Sequence, residues 1–172
     1  MAIRTILTIG DATLKKKCRP VTEFNEHLHT LLDDMTQTLI ESGGVGLAAP
    51  QVGVLRRVVL VLETNVPEGT EPYIIELVNP EIISREGEQD GPEGCLSVPG
   101  RFGLVERPMD VTVRAQDRNG NTFEVSGHEL TARAFCHELD HLEGVVFTSL
   151  ARRMLTDEEL ETGSWRDEVE NA

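Results

Sequence analysis

The segment Leu130–Gly144, LTARAFCHELDHLEG, combines apolar residues and two histidines at helical spacing. Four positions follow one another at intervals of four, three and four residues and so share one helix face: Leu130, Ala134, His137 and His141. Since the apolar residues of that face point into the protein, the histidines point inward too. A helix of this pattern ends near Gly144. The segment predicts a buried helix against which the rest of the chain packs.

The two histidines of this helix flank Glu138, in the order His137-Glu138-Leu139-Asp140-His141. Histidines four residues apart on one helix face can share a metal ion, and the intervening glutamate can act as a base beside it. Buried polar groups need partners, and one metal ion would satisfy both imidazoles. The alternative is a pair of core histidines hydrogen-bonded to the backbone. The helix alone therefore favours a metal site without establishing it.

The sequence before this helix alternates between one helical pattern and several strand patterns. Residues Asn25–Ser42 repeat leucine and methionine at helical spacing and end at two glycines. The β-branched runs 56–63 and 73–83 are typical of strands. Residues 110–127 alternate on both sides of Asn119-Gly120, which predicts a hairpin. One helix, several antiparallel strands and a buried helix in the C-terminal half carrying the HExxH pattern define an α+β fold, with antiparallel β-sheets around that helix.

Two further predictions concern the ends of the last helix and of the chain. Ser126 is followed three residues later by Glu129, which is the pattern of a capping box opening the helix. The acidic tail, residues 151–172, is expected to be partly helical with a loose end. Residues 1–172 contain no repeat or linker, so they are expected to form a single domain.

Composition and charge exclude several classes of protein. A net charge of −14 argues against nucleic-acid binding, and the basic residues at 15–17 and 19 are interpreted as a solvated patch. No apolar run approaches the about 20 residues of a membrane span, and the opening residues contain no apolar stretch of signal-peptide length. We therefore expect a cytoplasmic protein without membrane contact. Three scattered cysteines do not make a disulfide framework: Cys18, Cys95 and Cys136.

A catalytic metal site of this kind needs a third protein ligand. Cys136 adjoins His137, but neighbours on a helix point about 100° apart, so it is predicted to be a packed thiol. Glu161 lies in an acidic, solvated segment twenty residues after His141. Cys95 lies in a glycine- and proline-rich turn, where a cysteine is more often structural. The residues alone leave Glu161 and Cys95 open.

Three segments resemble the three motifs of the peptide deformylase family in order and spacing: GVGLAAPQVG (44–53), EGCLS (93–97) and HELDH (137–141). The likeness extends from the opening of the chain to about Leu150. Ala12 stands where many members have proline, and Cys136 stands where many have glutamine. Neither departure affects a motif residue with a chemical role.

The resemblance implies an enzyme that removes the formyl group from the N-terminal formyl-methionine of newly made polypeptides. Residues 1–172 would then be one deformylase-like catalytic domain. The implied metal ligands are three motif residues: Cys95, His137 and His141. The resemblance makes Glu138 the general base and acid, and it makes the Gln51 side-chain amide and the Leu96 backbone N–H the donors to the oxyanion. The implied cofactor is one divalent metal ion, most often Fe²⁺, for which Zn²⁺, Ni²⁺ or Co²⁺ can substitute.

These residue types suit hydrolysis of a formamide. A bound divalent metal lowers the pKa of water towards about 7 and polarises the formyl oxygen. Glu138 can take a proton from that water and deliver it to the leaving amine. Six residues are expected to bind the substrate around the metal: Val45, Gly46, Gly94, Leu130, Arg133 and Ala134. Arg133 is placed either at the rim of this pocket or in an exposed salt bridge, and Asp140 either orients a ligand imidazole or forms a surface ion pair.

Two other classes of protein compete with this interpretation. A zincin-type metallopeptidase would use Glu161 with the two histidines. A non-catalytic protein with a structural metal would need a fourth protein ligand, for which the motifs offer no good candidate. For the deformylase interpretation the expected partners are formyl-methionyl nascent peptides, with at most weak docking on the ribosome because the C-terminal tail is acidic. A monomer is expected.

Overall fold

Two antiparallel sheets and a buried helix form the centre of this computed structural model, which describes residues 2–170. The helices are α1 (Glu26–Ser42), α2 (Leu130–Leu142), α3 (Asp157–Thr162) and α4 (Trp165–Glu170). The strands are β1 (Gly46–Ala48), β2 (Val58–Glu63), β3 (Tyr73–Glu86), β4 (Gln89–Cys95), β5 (Val98–Arg107), β6 (Asp110–Gln116), β7 (Thr122–His128) and β8 (Arg153–Met154). Short 3₁₀ turns cover Ala12–Lys15, Ala49–Val52 and Phe147–Ser149. The α+β prediction is confirmed.

Helix α1 begins and ends where its capping residues predict. The Asn25 side chain accepts a hydrogen bond from the Leu28 N–H at 3.2 Å, which satisfies a donor of the first turn. Gly43 ends the helix in the left-handed region, with φ of 69°. One face is buried against the first sheet through leucines and Met35. The predicted helix over Asn25–Ser42 is confirmed.

The five-stranded sheet has the order β1-β2-β3-β6-β7, and every neighbouring pair is antiparallel. Strand β2 has both faces covered. Val59 and Val61 pack in the cluster that contains α2, whereas Val58 and Leu60 pack in the cluster that contains α1. This two-sided burial explains why residues 58–62 are continuously apolar rather than alternating.

The second sheet has the order β4-β5-β8, and the sequence patterns did not predict it. The glycine- and proline-rich stretch 91–100, interpreted as an exposed turn around Cys95, contains the end of β4 and the start of β5. Cys95 pairs with Val98 across a tight connection, and Gly94 pairs with Phe102. The cysteine therefore lies at the end of a hairpin strand, where backbone pairing fixes its direction.

Helix α2 begins at Leu130, and the predicted capping box does not form at its start. Ser126 lies within β7, and its hydroxyl is 2.7 Å from the Thr112 hydroxyl of the neighbouring strand. Glu129 has a φ of 52°, so the chain turns sharply from β7 into the helix without a side-chain cap. The capping-box prediction is wrong because strand pairing already uses Ser126. The predicted end is confirmed, since Glu143 caps the helix and Gly144 has a φ of 74°.

The acidic C-terminal segment folds back onto the second sheet. Arg153 pairs with Glu159 of α3 and with Glu168 of α4, while Arg152 pairs with Asp90 of β4. Helices α3 and α4 cover part of the segment expected to be partly helical, and its expected loose end falls on residues 171–172, outside the described residues. Among residues 2–170, no helix is both long enough and apolar enough to cross a bilayer.

Candidate active site

Three side chains with metal-binding atoms meet where β4 ends against α2. Cys95 is the last residue of β4, and His137 and His141 lie one turn apart on α2. One ligand atom from each lies within 4.8 Å of the others. The Cys95 Sγ is 3.4 Å from His141 Nε2, and the two imidazole rings are 5.0 Å apart in an edge-on arrangement. The structure thus brings together the three residues that the motifs single out as ligands.

Glu93 fixes the orientation of the His137 ring. His137 Nδ1 is 2.8 Å from Glu93 Oε2. Burial opposes ionisation of Glu93, but hydrogen bonds from His137 and Arg107 outweigh it and hold the pKa at about 2. An ionised carboxylate only accepts hydrogen bonds, so Nδ1 carries a proton and Nε2 is the nitrogen that faces the site. Burial disfavours a second proton on this ring, but the Glu138 charge and the contacts with Cys95 and Glu93 outweigh it and raise the pKa of His137. Metal binding would therefore displace a proton from Nε2. A carboxylate behind a ligand imidazole is a common device for orienting it towards a metal.

Two buried arginines hold Glu93 in place. Arg107 donates to both Glu93 oxygens, at 3.0 Å and 2.7 Å, and Arg133 donates to Glu93 Oε1 at 3.0 Å. Arg107 also pairs with Asp140 at 2.7 Å. The structure bears on the alternatives for two residues. Arg133 does not form an exposed salt bridge, because Glu93 and the Val105 carbonyl satisfy it in a buried position beside the cavity. Asp140 forms an ion pair, and its partner is Arg107.

The sequence reasoning assigned no role to Glu93 or Arg107, although Glu93 carried a usable signal. Successive side chains of a strand alternate between its faces, so residues two apart share a face. Glu93 lies two residues before Cys95 on β4 and therefore projects to the same side as the proposed ligand. Arg107 has no such signal, since it comes from the far end of β5.

The donor atoms suit a divalent metal ion. Burial and the neighbouring His137 lower the pKa of His141 to about 3, so its imidazole is neutral, as a metal ligand must be. Its Nδ1 is buried with no hydrogen-bond partner among the described residues, and so is Glu138 Oε1. A cysteine sulfur and two imidazole nitrogens form a mixed donor set that iron, cobalt, nickel and zinc accept. The residues present therefore fit a bound metal.

Glu138 lies beside this donor set and against the backbone of β1. It is 3% exposed, and burial raises its pKa to about 7. A Cβ on Gly46 would overlap the Glu138 carboxylate and the carbons that carry it. The absence of a side chain at Gly46 therefore leaves room for the Glu138 carboxylate, in addition to any role of Gly46 towards a ligand. This close approach links the first motif to the third.

Gly46→Ala is expected to reduce kcat/KM for the reaction by about 10²-fold, because displacing a catalytic group by an ångström has effects of this size. The measurement is steady-state kinetics together with metal content, which should be unchanged because position 46 contributes no ligand. Gly69→Ala is a control for general destabilisation, since Gly69 lies in an exposed turn with a φ of 82°, where a methyl group strains the backbone but meets no neighbouring atom. An unchanged kcat/KM in Gly46→Ala would show that the carboxylate adapts without loss.

The Gln51 side-chain amide is held firmly with its NH₂ group towards the cysteine. Gln51 is 1% exposed, and its Oε1 accepts from the Ala48 N–H at 2.9 Å. Its Nε2 lies 3.1 Å from the Ser97 hydroxyl and 3.5 Å from Cys95 Sγ. The amide nitrogen thus faces the space next to the ligand atoms. The Leu96 side chain packs on Gly44, which leaves room for no larger residue there.

A cavity of about 470 Å³ opens above these groups. Its lining includes all six residues expected to bind substrate: Val45, Gly46, Gly94, Leu130, Arg133 and Ala134. Cys95, His137 and Glu138 line it too. Phe102, which the sequence reasoning did not single out, adds an aromatic wall because its ring lies over Gly94. The cavity can take an apolar side chain next to the metal-binding atoms.

Glu161 lies away from this centre. It is an exposed residue of α3, and it belongs neither to the cavity lining nor to the group of ligand atoms. The metallopeptidase alternative therefore lacks its third ligand in the described structure. Cys136 is buried in the core formed by α2 and the first sheet, as a packed thiol should be.

Glu93→Gln is expected to lower the free energy of unfolding by about 3 kcal/mol, because it leaves the buried charges of Arg107 and Arg133 without a full counterion. It should also weaken metal binding by about 10- to 100-fold through the loss of the acceptor behind His137. Denaturant unfolding and competition with a chelator measure the two effects. Asp140→Asn is the matched control, since it touches only Arg107 and its side chain is 31% exposed. Equal losses in the two variants would contradict the role given to Glu93.

Comparisons with known proteins agree on one family. The sequence model of the family described as polypeptide deformylase matches residues 3–156. A peptide deformylase of Caldanaerobacter subterraneus subsp. tengcongensis is 56% identical over 161 residues, covering 94% of this chain and 97% of that protein. The crystal structure of a peptide deformylase from Legionella pneumophila is 42% identical, with a TM-score of 0.79 over 99% of this chain and 95% of the other. A class I type b peptide deformylase from Acinetobacter baumannii, solved with Met-Ala-Ser bound, is 35% identical with a TM-score of 0.80 over 87% of this chain and 98% of the other.

Proposed function

The chain belongs to the peptide deformylase family and is a hydrolase that removes N-terminal formyl groups, and from this we propose which of its residues carry out the reaction. The proposed centre is the floor of the cavity at the end of β4. One observation carries the proposal: the ligand atoms of Cys95, His137 and His141 converge beside a buried glutamate in a cavity of about 470 Å³. A formylated nascent peptide is the substrate class.

Cys95, His137 and His141 would hold one divalent metal ion, for which Fe²⁺ is the proposed identity and Zn²⁺, Ni²⁺ or Co²⁺ the substitutes. When bound, such an ion acidifies water and polarises the carbonyl to be attacked. By accepting from Nδ1 at 2.8 Å, the Glu93 carboxylate would leave Nε2 of His137 as the nitrogen directed at the metal. The cysteine is held at the end of a paired strand, so its sulfur needs little reorganisation to bind.

Glu138 would act as the proton carrier. Its carboxylate, confined between α2 and Gly46, takes a proton from the attacking water and delivers it to the nitrogen of the departing amine. Burial raises its pKa to about 7, close to the value at which a carboxylate both accepts and releases a proton readily at neutral pH.

Gln51 and Leu96 would stabilise the negative oxygen that develops on the formyl carbon. The Gln51 amide is anchored through Oε1 to the Ala48 N–H, and its Nε2 points towards Cys95. Donors fixed in advance stabilise such a charge without having to reorient during the reaction. Leu96 would contribute its backbone N–H, which leaves its side chain free to pack on Gly44.

The apolar part of the cavity would take the methionine side chain. Leu130 and Ala134 lie on the α2 face that continues to His137, and Val45 lies opposite them. The tripeptide in the Acinetobacter baumannii structure, Met-Ala-Ser, begins with the residue that this pocket is proposed to hold. Arg133 also lines the cavity, and its guanidinium would act on the site through Glu93, which it holds in place.

Formate release from a formyl-methionyl tripeptide tests the proposal. Anaerobically prepared protein loaded with Fe²⁺ or Ni²⁺ should release formate and leave a longer unformylated peptide uncut. Cleavage of the longer peptide without formate release would overturn the proposal and favour a peptidase. Release of formate at equal rates from protein treated with a chelator would show that the metal-binding residues have another purpose.

Iron as the working metal predicts sensitivity to air. Protein loaded with Fe²⁺ should lose activity in air faster than protein loaded with Ni²⁺, because Fe²⁺ or the Cys95 thiolate is oxidised. The half-lives of formate release under air, followed with titration of free thiols, measure this. Equal half-lives for the two forms would remove the support for iron.

Residues 1–172 are proposed to act as one catalytic domain and, in the cytoplasm, as a monomer. The family match over residues 3–156 and the docking of α3 and α4 through Arg152 and Arg153 support the single domain. Because those two arginines are paired with carboxylates of this chain, they offer little charge to a ribosome. Weak ribosome docking is therefore proposed.

A further inference from the structure

A second cavity, of about 530 Å³, lies apart from the catalytic one. It is bounded by the segment Arg19–Glu23, by the first turns of α1 and by Val54 and Arg56 before β2. The two cavities share no lining residue. This volume falls within the range of about 300 to 1,000 Å³ that small-molecule sites occupy.

Positive charge is concentrated around this second cavity although the whole chain has a net charge of −14. Three arginines line it, Arg4, Arg19 and Arg56, against one carboxylate, that of Glu23. Arg4 is already committed to Asp34, with both Nε and Nη2 at 3.0 Å from Oδ2. The uncommitted charge therefore comes from Arg19 and Arg56.

The backbone forces these two arginines side by side. Arg19 and Arg56 are partners in a parallel bridge, with hydrogen bonds from the Arg19 N–H to the Leu55 carbonyl and from the Arg57 N–H to the Arg19 carbonyl. Directly paired residues project to the same side of a ladder, where like charges repel. Within residues 2–170, neither guanidinium has a carboxylate within 4.0 Å. Arg57, by contrast, pairs with Glu143 at 3.4 Å.

The remainder of the cavity wall is suited to an uncharged body attached to an anion. Val21, Val54, Leu28 and Leu31 supply apolar surface, and both leucines are buried residues of α1. Asn25 does not compete for an anion, since its Oδ1 caps the Leu28 N–H and its Nδ2 lies 3.3 Å from Glu23. The Glu23 carboxylate thus accepts a hydrogen bond from an uncharged amide at the edge of the cavity.

We propose that this second cavity binds a small phosphate-bearing molecule, with Arg19 and Arg56 holding the phosphate and the apolar wall holding its body. Guanidinium groups bind phosphate through paired N–H donors, and two adjacent groups match the two negative charges of a phosphate monoester. A bound phosphate would also remove the repulsion between the two arginines. Adenosine monophosphate is a probe of this class, because it joins a phosphate to a body with flat aromatic faces.

The test is a titration of the full chain followed by amide chemical shifts in NMR, with adenosine monophosphate, inorganic phosphate and adenosine as separate probes. Adenosine monophosphate should give saturable shifts at residues 19–23 and 54–56, stronger than those from phosphate, while adenosine gives none. The double variant Arg19→Gln, Arg56→Gln should weaken binding by about tenfold or more. Arg57→Gln removes a neighbouring charge that does not line the cavity and should leave binding unchanged.

Three outcomes would overturn the proposal. The first is the absence of saturable shifts with either phosphate probe at about 10 mM, which would mean that any Kd lies above the millimolar range. The second is equal weakening in the double variant and in Arg57→Gln, which would mean general attraction to basic surface. The third is binding of an RNA oligonucleotide at these residues without binding of the small probes. Because both arginine side chains are at least partly exposed, the variants should fold, and thermal unfolding verifies this.

Discussion

Glu138→Gln is expected to slow formate release by about 10²- to 10⁴-fold, the usual contribution of a positioned acid–base group. The amide has nearly the shape of the carboxylate and fits the same space beside Gly46, but it accepts no proton from water at neutral pH. Steady-state kinetics on a formyl-methionyl tripeptide measure the loss. The effect should lie mainly in kcat, since Glu138 is proposed to act on the reacting water.

Metal content separates this interpretation from loss of the centre. Glu138 contributes no atom to the group of ligand atoms, so the variant should keep its metal in elemental analysis. Retention of both metal and full activity would show that another group carries the proton. A coincident loss of metal would show that Glu138 is needed to build the centre and would contradict its separate role.

Cys95→Ala should abolish metal binding at stoichiometric concentrations and lower formate release by at least about 10³-fold, because a metal ion lowers the pKa of water by several units. Two histidines that are a single helical turn apart would remain, and they lack the third donor that lies 3.4 Å from His141. Elemental analysis after gel filtration and the kinetic assay give the two readouts.

Two control variants make the Cys95 result specific. Cys136→Ala removes the neighbouring buried thiol, which packs in the core, and should cost stability while leaving the metal bound. Glu161→Ala changes an exposed residue of α3 and should have no effect on either readout. If Cys95→Ala retained metal and activity while Glu161→Ala lost them, the peptidase ligand set would replace the one proposed here.

Local signals in the sequence were sufficient for much of this fold. Helix α1 has its cap at Asn25 and its end at Gly43, and both act within a few residues of the helix they bound. Asn119-Gly120 predicted the β6–β7 hairpin in the same way. The β4–β5 hairpin was missed because its strands contain glycines and a proline in place of an apolar alternation. Its pairing depends on the register of Gly94 with Phe102, which no short pattern records.

In the active site, the motif residues could be predicted from the sequence, whereas the residues that hold them in position could not. His137 and His141 follow from helical spacing, and Cys95 follows from the resemblance to a family. The network behind them joins Glu93 to Arg107, 14 residues away, and to His137, 44 residues away. Contacts between residues so far apart in the chain leave no periodicity. An ion pair was one of the two alternatives for Asp140, but its partner could not be named, since Arg107 comes from a sheet that was not anticipated.

The position of the ligand atoms has a consequence for how the molecule holds together. Cys95 belongs to the three-stranded sheet, while both histidines belong to the helix packed on the five-stranded sheet. A metal held by all three would link the two layers. Glu93 of β4 already links them through its ion pair with Arg133 of α2, and it also pairs with Arg107 of β5. Ligation energy would then add to cohesion between the layers. The geometry of the active site and the packing of the two layers would thus depend on the same contacts. A shift of one layer relative to the other would abolish activity before the chain unfolds.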